Sequence, residues 1–575
     1  MKAFRDEVVE RLSKASGLAP DVVDRSLGVP DLDRGDFAFP CFPLAKERKA
    51  PPPRIAAEIA AKVEVGGRVV RAEAVGPYVN VTVDRARLAD ETLAEVASRG
   101  AAYGSGTEGA GKTVVVDFSS PNVAKPLAFH HLRSTMIGNS LVRLYKARGW
   151  RTVGVNHLGD WGTGFGKLLA ALELWGDEAL ASGDPRALNE LYVRINAQTK
   201  QDPSLEDRAR AWFKRLEDGD PTARALWQRC VALSMVEFSA VYARLGVAFD
   251  HVTGESFYED KMPAMIADLR ARGLLEESEG ALVVRVEEPG DEKPMPPCLI
   301  VKSDGATLYA TRDLAAAQYR HDTFRFDRCL YLVDAGQGMH FEQLKRVLRR
   351  AGRAWADALR HVPFGVLLIG GTRARTRTGS VVLLADVLDD AVEKVEAVIR
   401  EKNPDLADAA GVARAVGVGA VVFSDLKNHR TNDINLDLES VLSFDGKTGP
   451  YVMYSHARAC SILRKHGASL PARPADAGAR LSDPTEQALV RLVARFPDRV
   501  ARAVETDAPS EVATHLLDLC EAFHAYHTRG GRDAALRVLA DDPVVRAARL
   551  HLVDAVRTTL AAGLALLGMG APEQM

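Results

Sequence analysis

The spacing of apolar residues changes several times along this 575-residue chain, and each change marks an element. Thr113 to Phe118 (TVVVDF) is apolar and β-branched at nearly every position, which predicts a buried strand. After a polar loop, Leu132, Met136, Ile137, Leu141 and Leu144 fall at helical spacing, and Thr152 to Val155 form a second apolar run ending in NHLGDWG (156–162). Strand, helix, strand predicts a β-α-β unit. Asp117, Asn122, Asn156 and His157 then lie just past the carboxyl ends of two strands, where open α/β sheets form nucleotide sites. His130 and His131 stand at or near the helix start. Backbone N–H groups there attract phosphate, and imidazoles can donate further hydrogen bonds.

The same reading divides the rest of the chain. Residues 1–100 give an α+β pattern: an opening helix, a loop at GDFAFP (35–40), a helix near 53–63, and strands in VVRAEAVGPYVNVTVD. The Gly-rich stretch 101–112 reads as a linker. A core of 113–382 begins with the β-α-β unit. It continues through a helical insertion at 186–246 and two β-like runs, 281–286 and 298–311. Then come a strand at CLYLVDAG (329–336), a helix through EQLKRVLRRAG, and another strand at VPFGVLLIGG (362–371). Residues 383–465 form a connecting helical region, and 466–575 a helical domain with Asp and Ser as helix N-caps. There is no internal repeat.

Composition narrows the class without naming a chemistry. Apolar residues make up 47% and charged residues 26%, with a net charge of −2, so any grip on nucleic acid must come from local patches. One candidate patch is 345–377, with nine Lys and Arg and few acids; solvated helix faces are the plainer account of it. Six scattered cysteines without a CxxC pair argue against a zinc ribbon or a disulfide scaffold. The amphipathic N-terminus lacks the apolar segment of a signal peptide. No run comes near the ~18 apolar residues that span a bilayer. A cytoplasmic enzyme, not membrane-bound, is the expectation.

Several residues suggest chemistry on their own. Lys125, His130 and His131 would stabilise charge building on a triphosphate during in-line displacement. TRARTRTG (372–379) is a second basic loop suited to the same phosphates. Asp117, Tyr309, Asp313 and Gln337 lie next to predicted strand ends, and carboxylates there suit a cationic substrate, since a guanidinium forms bidentate pairs with Asp. A metal site built from His130, His131, His157 and Asp160 is disfavoured, because no HExxH is present; no metal ligand is assigned. A Ser or Cys nucleophile finds no elbow motif. TRDLAAAQ (311–318) can also be read as a capped helix start with Asp313 facing solvent.

These residues resemble class I arginyl-tRNA synthetases, and the resemblance covers essentially the whole chain. SSPNVAKP (119–126), NHLGDWGT (156–163), YATRDLAA (309–316), DAGQGMHFEQL (334–344) and HRTNDINLDLESVLSFDGKTGPYVMYSHAR (429–458) match the family's blocks in order. GDFAFPCFPLAK near the start and AFHAYHTR onward at the end match its terminal domains. The resemblance implies a multidomain α/β fold: an α+β N-terminal domain that touches the tRNA elbow, a Rossmann-like catalytic core with insertions, and a C-terminal α-helical anticodon-binding bundle. It implies ATP-dependent activation of L-arginine, with Mg2+ carried by ATP, and transfer to the terminal adenosine of tRNA(Arg), in a family mostly monomeric.

Residue by residue, it gives Ser119, Asn122, Asp117, Tyr309, Asp313 and Gln337 to arginine, with Asp313 as the guanidinium partner. It gives Lys125, His131, Gly159, Asp160 and His340 to ATP, and Lys125, His131, Arg373, Arg375 and Arg377 to catalysis, with His130, at the family's glycine position, expected to supply the missing imidazole. Aromatic and Arg side chains suit unstacked anticodon bases. In the cluster Phe523, His524, Tyr526, His527 and Arg529, the expected RNA contacts are Tyr526 and Arg529. The departures are specific. The family's H-x-G-H is here Ala128-Phe129-His130-His131, the KMSKS-like signature is Arg373-Ala374-Arg375-Thr376-Arg377, and Gly164 stands where the family often has Gln. They raise a second reading, a tRNA-binding paralogue that no longer aminoacylates. A small-molecule nucleotidyltransferase sharing only the core would lack the anticodon-type bundle.

Overall fold

The computed structural model describes residues 1–176, 181, 184–369, 372–373, 382–467 and 469–575. Helix α1 (Lys2–Ser16) opens the N-terminal region, and β1 (Phe37–Pro40), α2 (Pro52–Ala60), β2 (Val69–Val75) and β3 (Tyr78–Val83) follow. The strands form an antiparallel sheet in the order β1-β3-β2. GDFAFP, expected as a loop, thus supplies a strand whose Phe37 and Phe39 enter the core. Helix α3 (Arg85–Arg99), which the strand pattern hid, begins at Asp84, whose carboxylate accepts from the Arg87 N–H.

The central sheet is parallel, in the order β11-β10-β4-β5-β6. Its strands are β4 (Thr113–Asp117), β5 (Arg151–Asn156), β6 (His251–Val252), β10 (Arg328–Tyr331) and β11 (Leu359–His361). All of β4 is buried, as an unbroken apolar run requires. Val114 and Val116 join the core beneath α4 (His131–Ala147), and Val115 joins the opposite core beneath α9 (Tyr309–Phe324) and α10 (Gly338–Arg350). Between β5 and β6 run α5 (Thr163–Trp175), α6 (Pro185–Gln198), α7 (Ser204–Glu217) and α8 (Pro221–Leu245), the last three forming the helical insertion expected at 186–246. Strands β7 (Glu276–Ser278), β8 (Ala281–Val284) and β9 (Cys298–Val301) make a small antiparallel sheet.

Two expected strands are corrected. The run 298–311 is a strand only to Val301, and Tyr309 already begins α9. The run 362–371 does not extend the central sheet; β11, just before it, does. Its described part gives β12 (Leu367–Ile369), which pairs antiparallel with β13 (Thr372–Arg373) and parallel with β14 (Ile434–Leu436). The sheet closes at three-residue β11, too short for an apolar period to register.

Helices α11 (Leu384–Lys402), α12 (Ala409–Leu426), α13 (Gly449–His466), α14 (Pro484–Glu505), α15 (Ser510–Arg532) and α16 (Pro543–Leu566) complete the chain. By length and composition α12 could cross a bilayer, against the expectation that no run comes near; it is 61% buried and packs between α11 and α13 as a core helix. Residues 101–112 are not a loose tether. The Tyr103 hydroxyl donates to the Val493 carbonyl at 2.8 Å, and Arg148 donates to the Gly104 carbonyl at 2.9 Å. Gly104 approaches the Phe496 ring too closely for any side chain.

Candidate active site and RNA-facing surfaces

The chain leaves β4 for β5 on one side and later returns to β10 on the other, so the switch point of the sheet lies between β4 and β10. Crevices outside such points are where open α/β sheets bind ligands. A cleft of about 530 Å³ opens there. Seven of the expected residues line it: Asp117, Asn122, Gly159, Tyr309, Asp313, Gln337 and His340. Asn122 and Gly159 form a parallel bridge, and a side chain at Gly159 would collide with the Asn122 amide.

The cleft carries three carboxylates in different states. Asp117 is paired internally: Oδ2 lies 2.8 Å from Nη1 of the buried Arg320, and Oδ1 accepts from the Ser120 hydroxyl at 3.0 Å. Asp313, one turn into α9, faces the cleft rather than solvent, with Oδ2 2.7 Å from His340 Nε2. Glu255, which the sequence reading missed, lies 3.6 Å from Arg312 Nη1. Burial pushes the Glu255 carboxyl up to about 7, with Asp313, Asp160 and Glu259 adding to the effect and Arg312 opposing it. The signal for Glu255 was the cluster of acids in GESFYED (254–260), but β6, which leads into it, is only two residues long. Tyr309 stands 61% exposed at the mouth, its ring centroid 4.9 Å from that of His340.

Beside the cleft, the loop 119–127 leads into α4. Ser119, Ser120 and Ala124 hold positive φ angles of 72°, 49° and 66°, a strained path for side chains bearing a Cβ. The insertion helix α8 props this loop: Ser234 Oγ accepts from the Ala124 N–H at 3.0 Å, and Glu237 accepts from the Leu127 N–H at 3.2 Å. His131 Nδ1 lies 3.0 Å from the Ala128 nitrogen and 3.1 Å from the Ala128 carbonyl oxygen, so the Ala128 backbone holds the ring in either tautomer. Burial, His130 and Lys125 push His131 down to about 3. The rings of His130 and His131 sit 4.2 Å apart, and the Lys125 ammonium lies 5.0 Å above the Tyr192 ring. Phe129 and Leu384 N–H groups bond the Val382 and Leu127 carbonyls, tying the chain after the basic loop to the start of α4.

Other expected site residues lie elsewhere. Ser119 is turned inward, its hydroxyl 2.8 Å from both Tyr242 and Thr135. Asp160 also turns from the cleft: its two oxygens accept from the Ser256 N–H and hydroxyl at 2.9 and 2.6 Å. Arg375 and Arg377 lie outside the described residues, and of Arg373 the backbone forms β13. The basic region 345–377 is not a free patch where it is described. Arg346 pairs with Asp291, Arg349 with Asp357, Arg353 with Asp268 and Arg360 with Asp507. Tyr526 is fully buried in the bundle, because its position on α15 faces the neighbouring helices, and Arg529 pairs with Asp483.

Two other surfaces have the chemistry expected of those residues. A basic pocket of about 480 Å³ is lined by Tyr454, Arg458, Arg464, Lys465, His527 and the chain end at Gln574 and Met575. The Arg458 guanidinium covers the Tyr454 ring at 4.7 Å. On the N-terminal sheet, the exposed rings of Phe42 and Tyr78 meet edge to face at 5.6 Å.

Comparison with known proteins covers the same three regions. Residues 2–83 match the arginyl tRNA synthetase N terminal domain, 93–438 the catalytic domain of tRNA synthetases class I (R), and 452–575 the DALR anticodon binding domain. The chain is 47% identical over 542 residues to arginine–tRNA ligase 1 of a Bacillus cereus strain, covering 94% of each, and 46% identical to the arginine–tRNA ligase of an Exiguobacterium species, covering 100% of both. The solved Thermus thermophilus arginyl-tRNA synthetase superposes with a TM-score of 0.84 at 27% identity, over 99% of this chain and 100% of that one. With its three regions matched in order and relatives aligned end to end, the chain belongs to the class I arginyl-tRNA synthetase family.

Proposed function

We infer that this chain is an arginine–tRNA ligase, using ATP to activate L-arginine and transferring it to the terminal adenosine of tRNA(Arg). The observation that carries the reading is the pair Asp313 and Glu255 in one cleft beside Tyr309, next to the histidine pair at the start of α4. A guanidinium stays charged at any working pH, and two desolvated carboxylates select it over neutral side chains. Asn122 helps hold the backbone groups of the substrate, and Gln337 joins Tyr309 and Asp313 around its side chain. Arginine's carboxylate oxygen attacks the α-phosphorus of ATP; the bond to the bridging oxygen breaks, and pyrophosphate leaves with the electron pair. His131 and Lys125 face the phosphates, and the basic loop bearing Arg373, Arg375 and Arg377 closes over them. The 2′-hydroxyl of the terminal adenosine then attacks the arginyl carbonyl carbon, and AMP leaves.

Mg2+ enters with the triphosphate, whose oxygens suit a small, hard cation. The Tyr454–Arg458 pocket takes unstacked anticodon bases in place of Tyr526 and Arg529, and the Phe42–Tyr78 pair meets the tRNA elbow. The enzyme acts as a monomer and in the cytoplasm, the latter in keeping with six buried, unpaired cysteines. The paralogue reading rested on Ala128 and the altered basic loop; Asn122, Tyr309, Asp313 and Gln337 all remain in the cleft and weigh against it. Ala128 is 1% exposed, and its backbone N–H and carbonyl both lie within hydrogen-bond distance of His131 Nδ1, which supports a working site without a histidine at 128. Arginine-dependent ATP–pyrophosphate exchange, run with and without a tRNA(Arg) transcript, tests the reading. Exchange supports it; silence under both conditions with tRNA still bound would favour the paralogue.

A further inference from the structure

Helix α4 is anchored at both ends to parts of the chain hundreds of residues away. In its first turn, buried Arg133 donates to Asp425 Oδ1 at 2.9 Å, the Asn432 carbonyl at 2.8 Å and the Arg430 carbonyl at 3.1 Å. In its last turn, the Tyr145 hydroxyl donates to Asp507 Oδ1 at 2.6 Å and accepts from Arg328 at 2.9 Å. Asp507 sits between α14 and α15, buried, with a left-handed φ of 51°. Its other groups are also engaged. Oδ2 lies 3.5 Å from Arg360 of β11, and its carbonyl accepts from Arg430 Nε at 3.0 Å, while Arg430 Nη1 reaches the Pro363 carbonyl at 2.8 Å. One turn therefore gathers the signature helix, the sheet edge, the 428–433 loop and the helical bundle.

The geometry around that turn is two rods meeting at one joint. From Asp507, α15 runs to His527 in the basic pocket, and from Tyr145, α4 runs back to His131. At 1.5 Å per residue these legs are roughly 30 Å and 21 Å long. A hydrogen-bonded helix moves as a unit, so a displacement of the joint reaches the histidine pair. We propose that Asp507 is a positioning residue for the reaction, through which the helices of the RNA pocket set the place of His131. The proposal rests on the ligase reading and on the anticodon entering the Tyr454–Arg458 pocket.

The test compares kcat, at saturating tRNA and arginine, for a tRNA(Arg) transcript and for the same transcript with its three anticodon bases replaced. The ratio of the two measures how much the anticodon end contributes to chemistry, with binding removed. Tyr145→Phe and Asp507→Ala should bring the wild-type ratio down by about fivefold or more, the low end of ordinary coupling energies. Asp507→Asn, which keeps an acceptor for Tyr145 and tolerates the left-handed backbone, should hold the ratio near wild type. A purely structural role lowers both transcripts together and leaves the ratio unchanged, which overturns the proposal, as does a wild-type ratio near one. A wild-type enzyme that charges neither transcript overturns the ligase reading itself. Tyr145→Phe removes a single oxygen, so the comparison survives if the Ala variant does not fold.

Discussion

Glu255 makes arginine recognition sensitive to pH in a window where the substrate's guanidinium does not titrate. Its carboxyl is raised from an ordinary 4.5 to about 7, chiefly by burial. Each pKa unit is worth ~1.36 kcal/mol, so the empty cleft opposes ionisation by about 3 kcal/mol. If arginine binds the charged carboxylate only, the competent fraction is about one-eleventh at pH 6, one-half at pH 7 and ten-elevenths at pH 8, and the apparent Kd falls about tenfold from pH 6 to pH 8. Other charged or titratable groups near Glu255 are Arg312, Asp313, Asp160, Glu259, His157 and His340. The control is therefore Glu255→Gln, which binds arginine more weakly and without that slope. Calorimetric titration of arginine at the three pH values is the assay. A flat wild-type profile, or an equal slope in Glu255→Gln, would refute the argument. Stability carries the same signature. The folded chain holds the Glu255 proton more tightly than the unfolded chain, so this contribution is full below pH 4.5 and is lost as pH rises through about 7.

Four further outcomes are expected. Asp313→Asn should raise the KM for arginine roughly 10- to 150-fold in steady-state charging, since a hydrogen bond to a charged group is worth about 1.5–3 kcal/mol. Asp425→Ala leaves Arg133 buried without its carboxylate and should lower unfolding free energy by about 3–5 kcal/mol in a denaturant titration. Tyr454→Ala should weaken tRNA binding by about 1–3 kcal/mol in a filter or fluorescence assay, whereas Tyr526→Phe should leave it unchanged. His130→Gly, with Ala128 retained, should lower turnover in pyrophosphate exchange if His130 serves the reaction; unchanged kinetics would remove it from the catalytic group.

The parts of this protein legible in sequence are those whose signal is local. TVVVDF and the helix after it are periodic over many residues, and both formed as read. Residues expected at the substrate site lay in contiguous motifs at strand and helix ends, so Asp313, Gln337 and His340 came together in one cleft. Glu255 escaped because the strand that delivers it is two residues long. Tyr526 was misplaced because residue type says nothing about which face of α15 meets its neighbours, while His527, one position on, lines the basic pocket. The basic region 345–377 misled for a related reason. The carboxylates that neutralise Arg346 and Arg353 come from residues 291 and 268, far off in sequence.

Helix α3 packs on α14, α16 and the short helix Ala477–Arg480, and Gly478 donates to Asp90 at 2.9 Å. Tyr103 and its acceptor Val493 are 390 residues apart. At a synthesis rate of about 5–20 residues per second, roughly 20–80 s pass between the emergence of one and of the other. Through that interval the stripe Leu88, Leu93 and Val96 has been made but not the bundle that covers it. The start of this chain thus waits on its end, and a ribosome stalled before the last helices leaves an adhesive nascent surface for chaperones to hold.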